Sequence, residues 1–248
     1  MDHTLKNKVA VITGGNSGIG LAAARELVAR EATVLITGRR KEAVDKAAAE
    51  TGSIPFVADQ ANLDDIEKLK DELQARFGKI DILFINAGIT GGFASIAEAS
   101  VENFDLVMSI NFRGAYFTLS KLIPLLNDGA SVVILSSIVA STHNPNSSVY
   151  QASKAALNSI AKTAAAELAY KNIRVNIISP GPHATEVMKK AGLDVATLEQ
   201  INAQLVSKIP LKKMGDPAGV AKLVAYLSGP EAGFITGSEI VVDGGMTL

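Results

Sequence analysis

A doubly wound α/β domain, with about seven parallel strands and helices on both faces of the sheet, is the fold class this sequence predicts. Three observations carry it. Short runs of Val, Ile and Leu recur along the 248 residues without period-two alternation, the pattern of strands buried on both faces. Most runs are followed by a helix-forming stretch of ten or more residues, which implies right-handed crossovers between parallel strands. No linker, low-complexity tract, charge block or repeat divides the chain, so residues 1–248 read as one domain.

The elements follow in order. A strand over 8–13 precedes glycines and then an Ala- and Leu-rich helix over 21–30. A strand over 33–37 leads to a helix over about 41–50, and a strand over 54–58 to an amphipathic stretch over 63–77. A strand over 81–85 precedes a helical region over 101–126, and a strand over 131–135 precedes a helix over 149–170. A strand over 173–178 opens into a long irregular segment, before a helix near 217–227 and a last strand over 239–242. In such sheets ligands sit at the carboxyl ends of the strands, so the loops after Thr13, Thr37, Ala58, Ile85, Leu135 and Ile178 are where function is sought.

Composition narrows the classes. Hydrophobic residues make up 48% and charged residues 20%, enough apolar material for one large core and too much for a disordered chain. Lys and Arg number 24 against 25 Asp and Glu, so no basic excess serves a nucleic acid. Cysteine is absent, which excludes disulfides, thiolate metal sites and a cysteine nucleophile. The three histidines are dispersed without paired spacing, so no catalytic metal is expected. The polar start and the break at Gly14 and Gly15 leave no secretory or membrane-spanning segment, and a cytoplasmic location follows as an expectation.

The loop Thr13-Gly14-Gly15-Asn16-Ser17-Gly18-Ile19-Gly20 joins the first strand to the first helix. Glycine tolerates positive φ and leaves no Cβ in the way of a pyrophosphate, and a helix N-terminus offers free N–H groups to its charge. Gly18, Gly20 and Ala23 also match a general dinucleotide pattern, but that register begins inside the helix, and the 14/18/20 spacing is preferred. No Lys-Ser or Lys-Thr follows, so the loop is not of the Walker type.

Of four tyrosines, only Tyr150 has a lysine four residues on, Lys154, on the same helical face. A phenol titrates near pH 10, and a nearby ammonium favours its ionised form. Ser137 ends the fifth strand thirteen residues before Tyr150. With these on the page, the chain resembles the short-chain dehydrogenase/reductase family, whose fold is of the Rossmann type. The resemblance rests on the glycine loop at 13–20, Asn86-Ala87-Gly88, an isolated Asn111, Ser137, Tyr150 and Lys154, Pro180-Gly181, and the terminal Val242-Asp243-Gly244-Gly245. It covers essentially the whole chain in the family's order.

The resemblance implies an oxidoreductase interconverting a carbonyl and a secondary alcohol with transfer of the pro-S hydride. Tyr150 would be the general acid and base, Lys154 would lower its pKa and hold the ribose hydroxyls, and Ser137 would hydrogen-bond the substrate oxygen. Asn111 would anchor a water passing protons towards Lys154. Gly14, Asn16, Ser17, Gly18, Ile19 and Gly20 would hold the phosphates, Asp59 the adenine, and Asn86, Ala87 and Gly88 the cofactor through their backbone. Pro180, Gly181, His183 and Thr185 would border the nicotinamide. His183 stands where the family usually has an aliphatic residue; either its backbone amide alone would meet the cofactor while its ring fills space, or the ring would add a second polar group near the substrate. His143 reads as an exposed loop residue. Residues of about 186–210 would cover the substrate.

The resemblance also bears on the cofactor. NAD-specific sites of this fold place an acid about 20 residues past the glycine loop, but none stands between Thr33 and Lys41 here. Gly38 holds that position, followed by Arg39 and Arg40, whose guanidinium groups suit a 2′-phosphate. NADP(H) is therefore expected, with NAD(H) as a second option. Small residues at Ala155, Ser159, Thr163 and Ala166 permit close helix approach, and with the family's habit of pairing this helix they imply a homotetramer. A small-molecule carbonyl or alcohol is the expected partner. The alternatives are a 3-oxoacyl-[acyl-carrier-protein] reductase and a non-catalytic dinucleotide sensor.

Overall fold

The structure, a computed structural model, describes residues 4–184 and 195–248. Seven strands form one sheet: β1 (Val9–Ile12), β2 (Thr33–Gly38), β3 (Ile54–Val57), β4 (Ile80–Ile85), β5 (Leu126–Leu135), β6 (Arg174–Pro180) and β7 (Glu239–Val242). They are ordered β3-β2-β1-β4-β5-β6-β7, and every pairing is parallel. The order reverses direction between β1 and β4, which opens a crevice beyond their carboxyl ends.

Alternate strand residues feed two separate cores, which is why the strands show no polar alternation. Val11, Leu83, Val132, Ile134 and Ile177 pack under α3 (Leu63–Phe77), α5 (Ala115–Leu122) and α6 (Ser148–Leu168). Ile12, Ile36, Phe84, Val133 and Ile178 face α1 (Gly18–Ala29), α2 (Lys41–Thr51) and α8 (Pro217–Ser228). Helix starts follow local chemistry. Asn62 caps α3 by accepting from the Asp64 N–H, and Asp216 caps α8 with Pro217 directly behind it.

Four boundaries differ from the sequence reading. First, α1 begins at Gly18 rather than 21, because the last glycines of the loop already belong to its first turn. Second, the helical region 101–126 is not continuous. It comprises α4 (Val101–Met108), a π turn (Ser109–Gly114), α5 and a 3₁₀ turn (Ile123–Leu125). Third, β5 starts at Leu126, ahead of the expected 131. Leu126 pairs with Ile80 before a register shift, so tertiary pairing absorbs the turn-like Asn127, Asp128 and Gly129. Fourth, the segment after β6 is not irregular throughout, since it contains α7 (Val195–Lys208). Residues 186–194 of the expected substrate cover lie outside the described residues.

Candidate active site

The crevice between β1 and β4 is built by glycines that have no alternative. Gly14 has φ +65°, and a Cβ there would lie 3.0 Å from Ala87 Cα. A Cβ on Gly20 would sit 2.4 Å from the Gly14 carbonyl oxygen. The Thr13 hydroxyl accepts from the Asn86 and Ala87 N–H groups, while Asn86 Nδ2 donates to the Thr13 and Gly14 carbonyls. The Asn86 amide is thus spent on tying the glycine loop to the exit of β4. Ser17 is the N-cap of α1, and its side chain makes no capping bond. The loop, Ile19 included, passes directly into the helix.

At the end of β2, Gly38 is buried beneath Asn16; a Cβ there would meet Asn16 Oδ1 at 2.5 Å. Arg39 and Arg40 are exposed, and neither has an ion-pair partner among the described residues. Asp59 follows β3, where its Oδ1 accepts from the Ala61 N–H and shapes its own turn. It also lines an open cavity of about 550 Å³ with Asn62, Asp64 and Arg113, away from the Tyr150 cluster.

The catalytic candidates converge from three elements. Ser137 follows β5, Tyr150 and Lys154 lie one turn apart on α6, and Asn111 lies in the π turn. Tyr150 is half-buried and hydrogen-bonded to Ser137; burial raises its pKa above the ordinary value, against the lowering effect of that bond. Lys154 is 3% exposed and pushed down to about 8 by burial. Its Nζ donates to the Leu135 carbonyl at 2.9 Å and stands 6.0 Å from the Tyr150 ring centroid. In the protein alone the ammonium donates to a strand-end carbonyl, and burial sets the direction of the Tyr150 shift.

Asn111 is fully buried. Its Oδ1 accepts from the Ile89 N–H at 2.8 Å, and its Nδ2 donates to the Ile89 carbonyl and to Ser153 Oγ. Ser153 in turn donates to the Tyr150 carbonyl, so the π turn is laced to α6. This alters the role expected for Asn111. Both amide hydrogens are spent, which leaves only the remaining Oδ1 lone pair or the main chain to hold a water. Gly88 passes between the two groups; a Cβ there would lie 3.3 Å from Asn111 Oδ1 and 3.4 Å from Lys154 Nζ.

Beyond β6, Gly181 lies against Asp243, where a Cβ would stand 2.7 Å from that residue's Cβ. This explains the proximity of Pro180-Gly181 to the terminal glycine turn. The His183 ring packs on Gly215, and its Nδ1 lies 2.9 Å from the Gly181 carbonyl oxygen. Backbone bonds from Gly215 N to Pro182 O and from Ala184 N to Gly215 O close the same contact. The imidazole is thus held by packing on Gly215 and by its contact with the Gly181 carbonyl. Thr185 lies outside the described residues, and His143 is exposed. No group of three His, Asp or Glu side chains suited to a metal occurs among the described residues, and no described helix is long and apolar enough to cross a membrane.

Sequence reasoning passed over Gln60, Ile89 and Ser153. Ser153 carried a usable signal, three residues after Tyr150 on the same helix. Ile89 acts through its backbone, and Gln60 had no signal beyond adjacency to Asp59.

Comparison with known proteins places this geometry. A family model described as enoyl-(acyl carrier protein) reductase matches residues 14–247. The oxidoreductase asL5 of Sarocladium schorii is 37% identical over 98% of this chain and 96% of its own length. The 3-oxoacyl-[acyl-carrier-protein] reductase FabG of Thermotoga maritima is 33% identical over 98% and 99%. The NADP-dependent (R)-specific alcohol dehydrogenase of Lentilactobacillus kefiri is 35% identical over 100% and 99%. Among solved structures, a short-chain type dehydrogenase/reductase from Mycobacterium marinum superposes with a TM-score of 0.90 at 30% identity, covering 99% of this chain and 97% of that one. The chain belongs to the short-chain dehydrogenase/reductase family of oxidoreductases.

Proposed function

We propose that this protein interconverts a carbonyl and a secondary alcohol, with NADP(H) preferred over NAD(H) and Tyr150 as general acid and base. The observation that carries the reading is the Ser137–Tyr150 hydroxyl pair beside buried Lys154, at the sheet edge where the glycine crevice opens. The residues fit a dinucleotide, because the glycine loop runs into the N-terminus of α1 and the Ser17 side chain leaves the first N–H groups of that helix uncapped, free for a phosphate. Gly14, Gly18, Ile19 and Gly20 would hold the pyrophosphate, and Asn16, Ser17, Arg39 and Arg40 the 2′-phosphate. Asp59 would meet the adenine, and Asn86, Ala87 and Gly88 the ribose. Pro180, Gly181, His183 and Thr185 would border the nicotinamide. When bound, the cofactor supplies or accepts the hydride.

The chain's own part is proton and position. Ser137 and Tyr150 together present two hydroxyl donors to one carbonyl oxygen, stabilising the charge that develops there. Burial keeps the Tyr150 proton in place across neutral pH, as an acid in reduction requires. Lys154 remains largely an ammonium below about pH 8 and favours proton departure from Tyr150 electrostatically. Among the described residues, the loops 88–100 and 136–149 bring one formal charge to the mouth, Glu98, which accepts from Ser95. This suits an uncharged reacting group, a ketone or the 3-oxo group of a thioester. Reduction of 3-oxoacyl thioesters is the second reading, supported by the likeness to the T. maritima reductase.

A panel of small ketones, steroids, sugars and acyl thioesters, assayed for NADPH oxidation from about pH 6 to about pH 10, tests both readings. Reduction should hold steady in the neutral range and decline above about pH 8, as Lys154 loses its proton. Alcohol oxidation, which needs the Tyr150 phenolate, should peak at higher pH than reduction. A reduction rate that climbs through pH 8 would refute the lysine's part. Absence of turnover on the whole panel would leave the dinucleotide sensor.

We also propose a homotetramer. Ala155, Ser159, Thr163 and Ala166 are all exposed on α6, near exposed Phe104, Leu106 and Tyr116 on α4 and α5. Val241 on edge strand β7 is a further exposed apolar residue, and so is Tyr226 on α8. The face around α6 suits one two-fold contact, and a tetramer requires a second. Light scattering should give about four times the chain mass, and a monomer at micromolar concentration would refute the assembly.

A further inference from the structure

We propose that Gln60 is a positioning residue of this site, its side-chain amide clamping the exit of β4 to the π turn and so fixing Asn111 opposite Lys154. The proposal rests on the function proposed above. Gln60 follows β3 and is 8% exposed. Its Nε2 donates to two main-chain carbonyls distant in sequence, Ala87 at 3.1 Å and Ile110 at 2.9 Å. Ala87 directly precedes Gly88, the residue that passes between Asn111 Oδ1 and Lys154 Nζ. Ile110 directly precedes Asn111.

The contact is made twice over. The Gln60 carbonyl oxygen lies 2.1 Å from where a Cβ on Gly114 would stand, so the π turn rests on the Gln60 main chain as well as on its amide. A π turn falls out of the regular helical ladder and releases carbonyls that need donors from elsewhere. Gln60 donates to one carbonyl of this turn, that of Ile110. Thr13, Asn86, Ala87, Gln60, Ile110, Asn111 and Ser153 thereby form one hydrogen-bonded and covalent chain from the glycine loop to α6.

A filler would not look like this. Gln60 Oε1 is buried with no partner among the described residues, a cost that an apolar side chain of similar length avoids. What the amide adds over such a side chain is its pair of donors, and both are engaged. Removing them frees the π turn and the β4 exit to separate, which displaces Asn111 and admits water beside Lys154.

The test is Gln60→Met, which keeps length and volume and removes both donors, with Gln60→Asn as a shorter donor that cannot span both carbonyls. Melting, NADPH affinity by fluorescence, kcat, and the Lys154 titration by NMR of lysine-labelled cofactor-free protein are measured for each. The expectation for Gln60→Met is a kcat about 10–100-fold lower, the scale of a small misplacement at a reacting centre, with NADPH affinity kept within about threefold. Its Lys154 pKa should rise from about 8 by at least about half a unit as water enters. Gln60→Asn should fall between, and it decides the matter if the Met variant does not fold. Wild-type kcat together with an unmoved Lys154 titration would overturn the proposal. So would loss of kcat and NADPH affinity together in step with loss of folded protein. If the wild type itself turns nothing over, the proposed function fails, while the cofactor-free lysine titration still tests the clamp.

Discussion

Tyr150→Phe should abolish turnover while leaving the dinucleotide bound. The substitution keeps the ring in its half-buried place and removes only the hydroxyl, whose partner in the structure is Ser137. Losing one hydrogen bond of this kind costs about 1 kcal/mol of stability, so the variant should fold. A positioned general acid contributes roughly 10²–10⁴-fold, or about 3–5 kcal/mol of the barrier. The Ser137 hydroxyl stays beside the substrate oxygen, but an alkyl hydroxyl is a far weaker acid than a phenol and does not replace it. Lys154 donates to the Leu135 carbonyl, and Asn111 has spent both amide hydrogens. The measurements are kcat, NADPH affinity by fluorescence and the melting temperature. Retention of more than about a tenth of wild-type kcat would show that the proton comes from elsewhere.

Arg39→Ala should weaken NADPH by about 1.5–3 kcal/mol and leave NADH nearly unchanged, since hydrogen bonds to charged groups fall in that range. The argument is one of charge and of room. Arg39 is exposed and without an ion-pair partner among the described residues, so its guanidinium is available to a phosphate. At Gly38, the position from which an acid would receive a free ribose hydroxyl, Asn16 Oδ1 occupies the space of a side chain. Installing the acid alone is therefore not enough for NADH use. Gly38→Asp should lose NADPH by repulsion without gaining full NADH affinity until Asn16 is also shortened. Titrations of both cofactors against the single and double variants check this. Equal kcat/KM for the two cofactors in the wild type would sink the assignment.

Much of this site was readable because its spacing is local. The glycines at 14, 18 and 20 lie in one loop, and Tyr150 and Lys154 share one helical turn. Continuous apolar runs announced strands covered on both faces, and the two cores under and over the sheet are the physical reason for that pattern. Elements whose boundaries depend on distant partners were misplaced. The start of β5 is decided by pairing with Ile80. The π turn inside the fourth helical region leaves no trace in a hydrophobic period.

The sequence by itself determined the class of fold and the family and singled out the candidate site residues, because each is written in short-range spacing that a helix or a loop converts directly into proximity. Only the tertiary structure decided how those residues are used. Lys154 turns to the Leu135 carbonyl because burial leaves its ammonium in need of an acceptor. Asn111 spends its amide on Ile89 and Ser153, and His183 fills the space over Gly215. Gln60 reaches carbonyls 27 and 50 residues away. Such partners are chosen by whatever donors and acceptors the packed sheet leaves unsatisfied in a dry interior, and that choice exists only once distant segments are brought together.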